Sequence, residues 1–152
     1  TQDCLATDLS QAGTFATLFH ARLRASDGRI LFADAGHGLT LVVRAAGTWE
    51  RLASDNFPVG LLPDTRWESL ETRLGPGDMI VSFSDGVLDL YDGTLAAVDE
   101  IGQLAVCVGS AEELVDAVRR RAQGTSNPDD VTILAVRRDN LDGLSAHTGE
   151  SR

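Results

Sequence analysis

Gly75-Pro76-Gly77-Asp78-Met79-Ile80-Val81-Ser82-Phe83-Ser84-Asp85-Gly86 joins a tight turn, a short apolar run and a second sharp turn. Met79 to Phe83 is almost continuously apolar, the pattern of a central strand buried on both faces. Gly-Pro before it and Asp-Gly after it are turn chemistry. The strand therefore delivers Asp85 at its carboxy end.

Upstream, Phe15 to Arg24 is rich in aromatic and β-favouring residues and breaks at Ser26-Asp27-Gly28, so a strand and a hairpin turn are predicted. Arg29 to Ala33 follows and ends at Gly36-His37-Gly38. Leu39 to Arg44 resumes, and a turn centred on Gly47 leads to Trp49-Glu50-Arg51-Leu52. This is an antiparallel meander. The proline loop from Asn56 to Asp64 separates it from Trp67 to Leu74, where Leu70, Thr72 and Leu74 alternate with polar residues, as in a further strand.

Downstream, Thr94 to Val108 is weakly helical, with Leu95, Val98, Ile101 and Ala105 on one face. Ser110 and Glu113 form a capping box ahead of the apolar stripe Leu114, Val115, Val118 and Ala122. Arg119-Arg120-Arg121 complements the dipole of that helix, and Gly124 closes it. The loop from Thr125 to Asp130 feeds a last strand from Val131 to Val136, and beyond Arg138 all periodicity is lost. No internal repeat is present. Strands first, then helices with a returning strand, predict an α+β domain in which helices cover an antiparallel sheet. One mostly antiparallel sheet is expected to carry Phe15–Arg24, Ile30–Ala33, Leu39–Arg44, Met79–Ser84 and Val131–Val136, with the Ser110–Gln123 helix on one face.

The 152 residues fit one domain, and 43% apolar with 24% charged residues excludes a disordered polyelectrolyte. All 13 basic residues are arginines, against 23 acids, for a net charge of −10. That charge excludes non-specific nucleic acid binding and suits a divalent metal or a cationic partner. Cys4 and Cys107 have no CxxC spacing and read as free thiols. No apolar run is long enough to cross a bilayer and no signal segment opens the chain, so a cytoplasmic protein is expected. The start at Thr1 is read as that of a piece of a longer polypeptide.

Two acidic sites sit where an apolar strand meets a sharp turn. Asp85 follows the central strand, and Asp129 and Asp130 precede the last one. Carboxylates on rigid strand ends suit a hard cation, which takes oxygen ligands. Asp-Gly and Pro-Asp-Asp are also ordinary turn sequences, and spacing alone leaves both readings open.

Phe15-Ala16-Thr17-Leu18-Phe19, Ala35-Gly36-His37, Pro58-Val59-Gly60, Pro76-Gly77-Asp78, Ser84-Asp85-Gly86-Val87 and Asp129-Asp130-Val131-Thr132 resemble, in that order, the bacterial stage II sporulation E family. These are metal-dependent serine/threonine phosphatases of the protein phosphatase 2C class. The resemblance implies an antiparallel β-sandwich flanked by helices, with residues 1–138 as the carboxy-terminal portion of the catalytic domain, while the loss of periodicity over 139–152 predicts a disordered tail. The resemblance also implies a pair of Mg²⁺ or Mn²⁺ ions whose bridging water attacks the phosphorus of a phosphoserine or phosphothreonine. By the same resemblance Asp85 and Asp129 are metal ligands. Adjacent residues entering a strand point to opposite sides, so only one of Asp129 and Asp130 is expected to face the ion, and the resemblance selects Asp129, which matches the first acid of the family's closing pair. Relatives of this kind release phosphate from anti-anti-sigma regulators under the control of attached upstream sensor domains.

The family's bridging aspartate belongs to an upstream Asp-x-Ser-Gly-His/Lys-Gly motif, and nothing before Phe15 supplies it. Asp34-Ala35-Gly36-His37-Gly38 stands in the context of the family's other Ala-Gly-His loop, so Asp34 has no bridging role. His37 is expected to hold its turn through a backbone hydrogen bond, and Gly38-Leu39 departs from the family's Asn-Pro. His20 reads as structural and Asp89 as solvated. The chain is therefore expected to be part of a phosphatase and inactive on its own. The alternatives are a phosphatase-like binding module and a plain regulatory α+β domain whose acids form turns.

Overall fold

The computed structural model describes residues 2–62, 66–125 and 129–139. The readings that fall on Pro63 and Asp64, on residues 126–128, on the tail after Asp139 and on the side chain of Cys4 lie outside the described residues. Along the chain run α1 (Gln2–Gln11), β1 (Leu18–Arg24), β2 (Arg29–Ala35), β3 (Thr40–Val43), β4 (Trp49–Arg51), β5 (Leu70–Arg73) and β6 (Met79–Phe83). A 3-10 helix (Asp85–Leu90), α2 (Ala96–Cys107), α3 (Ala111–Gly124) and β7 (Ile133–Arg137) complete it.

The strands form two sheets, the antiparallel sandwich that the family resemblance implies rather than the single sheet read from periodicity. β1-β2-β5 make the first and β4-β3-β6-β7 the second, with antiparallel pairing throughout. β2 and β3 are consecutive yet belong to different sheets, and the loop between them explains the split. Gly36 and Gly38 both adopt positive φ (77° and 64°), a region open to glycine at no steric cost. They carry the chain from one layer to the other.

The layers are held by two apolar clusters. Ile30, Phe32 and Leu74 of the first layer meet Val42 and Leu52 of the second, with Phe19 and Ile80 packed against them. On the opposite face of the second sheet, Leu41, Val43, Met79, Val81 and Phe83 pack on Ile101, Ala105, Leu114 and Val118. β6 lies between β3 and β7, and its side chains alternate between these clusters. That is why its sequence is apolar almost throughout. Three strands do not cover four: Leu134 and Val136 of β7, paired with Ser82 and Ile80, stay exposed.

α3 begins as its sequence predicts. Ser110 accepts the N–H of Glu113 at 3.1 Å, while the Glu113 carboxylate takes the N–H of Gly109 at 2.7 Å, one residue before the cap. Leu114 and Val118 are buried, whereas Val115 and Ala122 are half-buried. Burying a side chain such as Leu114 contributes about 1.5–3 kcal/mol. Arg121 then ties the helix to the 3-10 segment: its Nε donates to the Leu90 carbonyl at 2.6 Å and its guanidinium lies 3.9 Å from the Tyr91 ring centroid.

Other boundaries shift. β1 starts at Leu18 rather than Phe15, because Ala16 instead bridges Val59 in the proline loop. β5 covers only Leu70–Arg73 of the expected longer strand. α1 and the 3-10 helix were not anticipated from sequence. Cys107 is a free, exposed thiol. Among the described residues no helix is long and apolar enough to cross a membrane.

Candidate functional site

The site forms where the β6–β7 ladder runs out. Its last pair is Phe83 with Ile133, and Ser84 N–H still donates to the Thr132 carbonyl at 3.0 Å. The Ser84 hydroxyl continues the join. It donates to the Asp130 carbonyl at 3.0 Å and accepts the Thr132 N–H at 2.9 Å. Gly86 is buried against the same segment, and a β-carbon there would meet the Asp129 carbonyl carbon at 3.1 Å. The structure thus brings Asp85 and Asp129, remote in sequence, to neighbouring strand ends.

Both side chains are exposed. One oxygen of each is used locally: Asp85 Oδ1 accepts the N–H of Gly86 at 3.0 Å, and Asp129 Oδ1 accepts that of Asp130 at 2.8 Å. Among the described residues neither carboxylate faces an arginine at ion-pair distance. Carboxylates presented from neighbouring strand ends without a cationic partner suit a cation. Oxygen donors of this kind fit Mg²⁺ or Mn²⁺. They fit as part of a ligand set, since among the described residues no group of three or more acidic, histidine or cysteine side chains gathers to hold a metal.

Asp34 does different work. It is 1% exposed, and its two oxygens accept the N–H groups of His37 at 2.7 Å and Gly38 at 2.8 Å. The Ser54 hydroxyl donates to its carbonyl at 2.6 Å. The whole carboxylate is spent on shaping the crossover loop between the sheets. His37 is half-buried there, with Nε2 3.4 Å from the Ser82 hydroxyl, which is 2.9 Å from that of Thr40. Its ring centroid lies 6.5 Å from that of Phe19. His20 and Asp89 are exposed. The pattern Ser-Asp-Gly marks the turn in the sequence, but the double hydrogen bond of Ser84 across to Asp130 and Thr132 has no local signal there.

The sequence matches the family description of stage II sporulation protein E (SpoIIE) over residues 1–139. Among curated proteins it is 27% identical to protein IcfG of Synechocystis over 91% of this chain and 23% of that protein. It is 28% identical to the phosphoserine phosphatase RsbU of Bacillus subtilis, over 84% of this chain and 40% of that protein. The chain therefore spans less than half the length of these relatives. Among solved structures, the RsbU and RsbW domains of Rv1364c from Mycobacterium tuberculosis share 26% identity at a TM-score of 0.69, over 81% of this chain and 37% of that one. The PP2C phosphatase domain with a fragment of the regulatory domain of SpoIIE from Bacillus subtilis shares the fold, with 20% identity, a TM-score of 0.70, and coverage of 87% of this chain and 41% of that one.

Proposed function

The chain belongs to the stage II sporulation protein E family, and from that premise we propose that it acts as part of a metal-dependent protein serine/threonine phosphatase. The observation that carries the reading is the junction of β6 and β7, where Ser84 joins the strand ends bearing Asp85 and Asp129. In this reading both residues are ligands of a divalent cation, Mn²⁺ or Mg²⁺, with two ions in the complete domain. Such ions supply an activated water and polarise the phosphoryl oxygens. The contribution of this chain is to hold oxygen donors on rigid strand ends and to orient them from the neutral backbone around Ser84 and Gly86. Residues 1–138 form the carboxy-terminal portion of the catalytic domain in this reading, and the bridging carboxylate comes from upstream.

The substrate class proposed is a phosphorylated regulatory protein of the anti-anti-sigma type, in the cytoplasm, with control by an upstream sensor domain of the parent chain. Support comes from the relatives: one is a phosphoserine phosphatase, and one structure holds RsbU and RsbW domains together. The test is a phosphoserine-protein phosphatase assay with Mn²⁺ or Mg²⁺, on this chain and on its parent polypeptide. Very poor turnover by the chain and metal-dependent turnover by the parent, abolished by Asp85→Asn, is the expected result. An inactive parent that carries an intact Asp-x-Ser-Gly motif would replace the enzyme with a phosphatase-like binding module.

A further inference from the structure

We infer that Ser84 is a positioning residue for this site, its hydroxyl setting how the Asp85 and Asp129 strand ends face a divalent cation. The inference rests on reading those two residues as ligands. The regular ladder between β6 and β7 ends at Phe83 and Ile133, so both acids lie beyond it. Among the described residues no arginine lies at ion-pair distance from either acid, so no ion pair ties the two strand ends together. An arginine between them would hold them together only by consuming the charge that a cation needs. A hydroxyl does it without charge, because it donates and accepts at once. Ser84 uses both capacities on the stretch just after Asp129: it donates to the Asp130 carbonyl at 3.0 Å and accepts the Thr132 N–H at 2.9 Å. Gly86 closes the same gap from the other side of Asp85, its α-carbon packed on the Asp129–Asp130 backbone.

The test is Mn²⁺ titration of the chain, read as paramagnetic broadening of individual amide signals at a temperature where every variant is folded by circular dichroism. Wild type should show broadening centred on Gly86 and Val131. Ser84→Ala should weaken the apparent Mn²⁺ affinity by about tenfold or more, as for other residues that orient ligands from behind. Ser84→Thr keeps both hydrogen bonds and should restore the affinity. Ser84→Cys, close in size to serine but a weak donor and acceptor, should resemble alanine and replaces it if Ser84→Ala does not fold. Wild-type affinity in the Ala and Cys variants, with loss of binding in Asp85→Asn, overturns the role of Ser84 and leaves the ligand reading intact. Unchanged broadening in Asp85→Asn, or none in either the chain or its parent polypeptide at millimolar Mn²⁺, overturns the ligand reading and this inference with it.

Discussion

A β-carbon on Gly86 would stand 2.5 Å from the carbonyl oxygen of Asp130, so the turn after β6 has room only for hydrogen at this position. The contact is with backbone, which cannot swing aside as a flexible side chain could. Gly86→Ala should therefore push the Asp85 turn away from the β7 entrance, at a cost of about 1–3 kcal/mol. Urea denaturation at neutral pH measures it, and an unchanged midpoint would show that the two segments are not in contact.

Asp34→Ala should loosen the crossover loop. It removes both acceptors of the His37 and Gly38 N–H groups, and each buried donor left unpaired costs about 1–3 kcal/mol. Faster amide exchange at His37 and Gly38 and a lower melting temperature are expected. Mn²⁺ broadening around Gly86 should persist; its disappearance would make Asp34 a ligand.

Stability below neutral pH should depend on Asp78. Burial raises its pKa, but the N–H of Ala45, the Arg44 guanidinium and the N–H of Gly75 outweigh that effect and hold it below its ordinary value of 3.8. Arg44 Nη1 and the Ala45 and Gly75 N–H groups each donate to it at 2.9 Å. Arg44 also reaches the Thr72 hydroxyl and the Arg73 carbonyl of β5, so the carboxylate anchors a bond between the sheets. A depressed carboxyl pKa stabilises the fold above its unfolded value and ceases to do so as pH falls through the folded value. Urea midpoints should drop below about pH 4. Asp78→Asn should be less stable at pH 7 and show a shallower acid decline; an identical decline would place the linkage in other acids.

Leu114→Ala should cost about 2–5 kcal/mol, since the side chain is fully enclosed and leaves a cavity when truncated. Equilibrium denaturation measures it. A loss under about 1 kcal/mol would mean that α3 does not seat its apolar stripe on β6 and β7.

The sequence by itself determined the local elements and the chemistry they carry. The apolar run Met79–Phe83 specified a central strand because both of its faces are buried. Ser110 and Glu113 specified where α3 starts because a helix leaves its first N–H groups without partners. The two turns that hold Asp85 and Asp129 were legible because glycine, proline and aspartate act within a few residues of themselves. Hydrophobic period states which side of a strand is buried, not which sheet the strand joins, so periodicity predicted one sheet and only the family resemblance pointed to the two-sheet sandwich. α1 and the 3-10 helix were missed as well. α1 lacks a strong periodic stripe, and the 3-10 helix is held in place by Arg121, distant in sequence.

The family resemblance already placed Asp85 and Asp129 in one site; only the tertiary structure decided that Ser84 bonds across to Asp130 and Thr132 and that Asp34 spends both oxygens on one loop. Hydrogen bonds between side chains and backbone remote in sequence depend on register, and register is set by the packing of whole layers. No single segment encodes it.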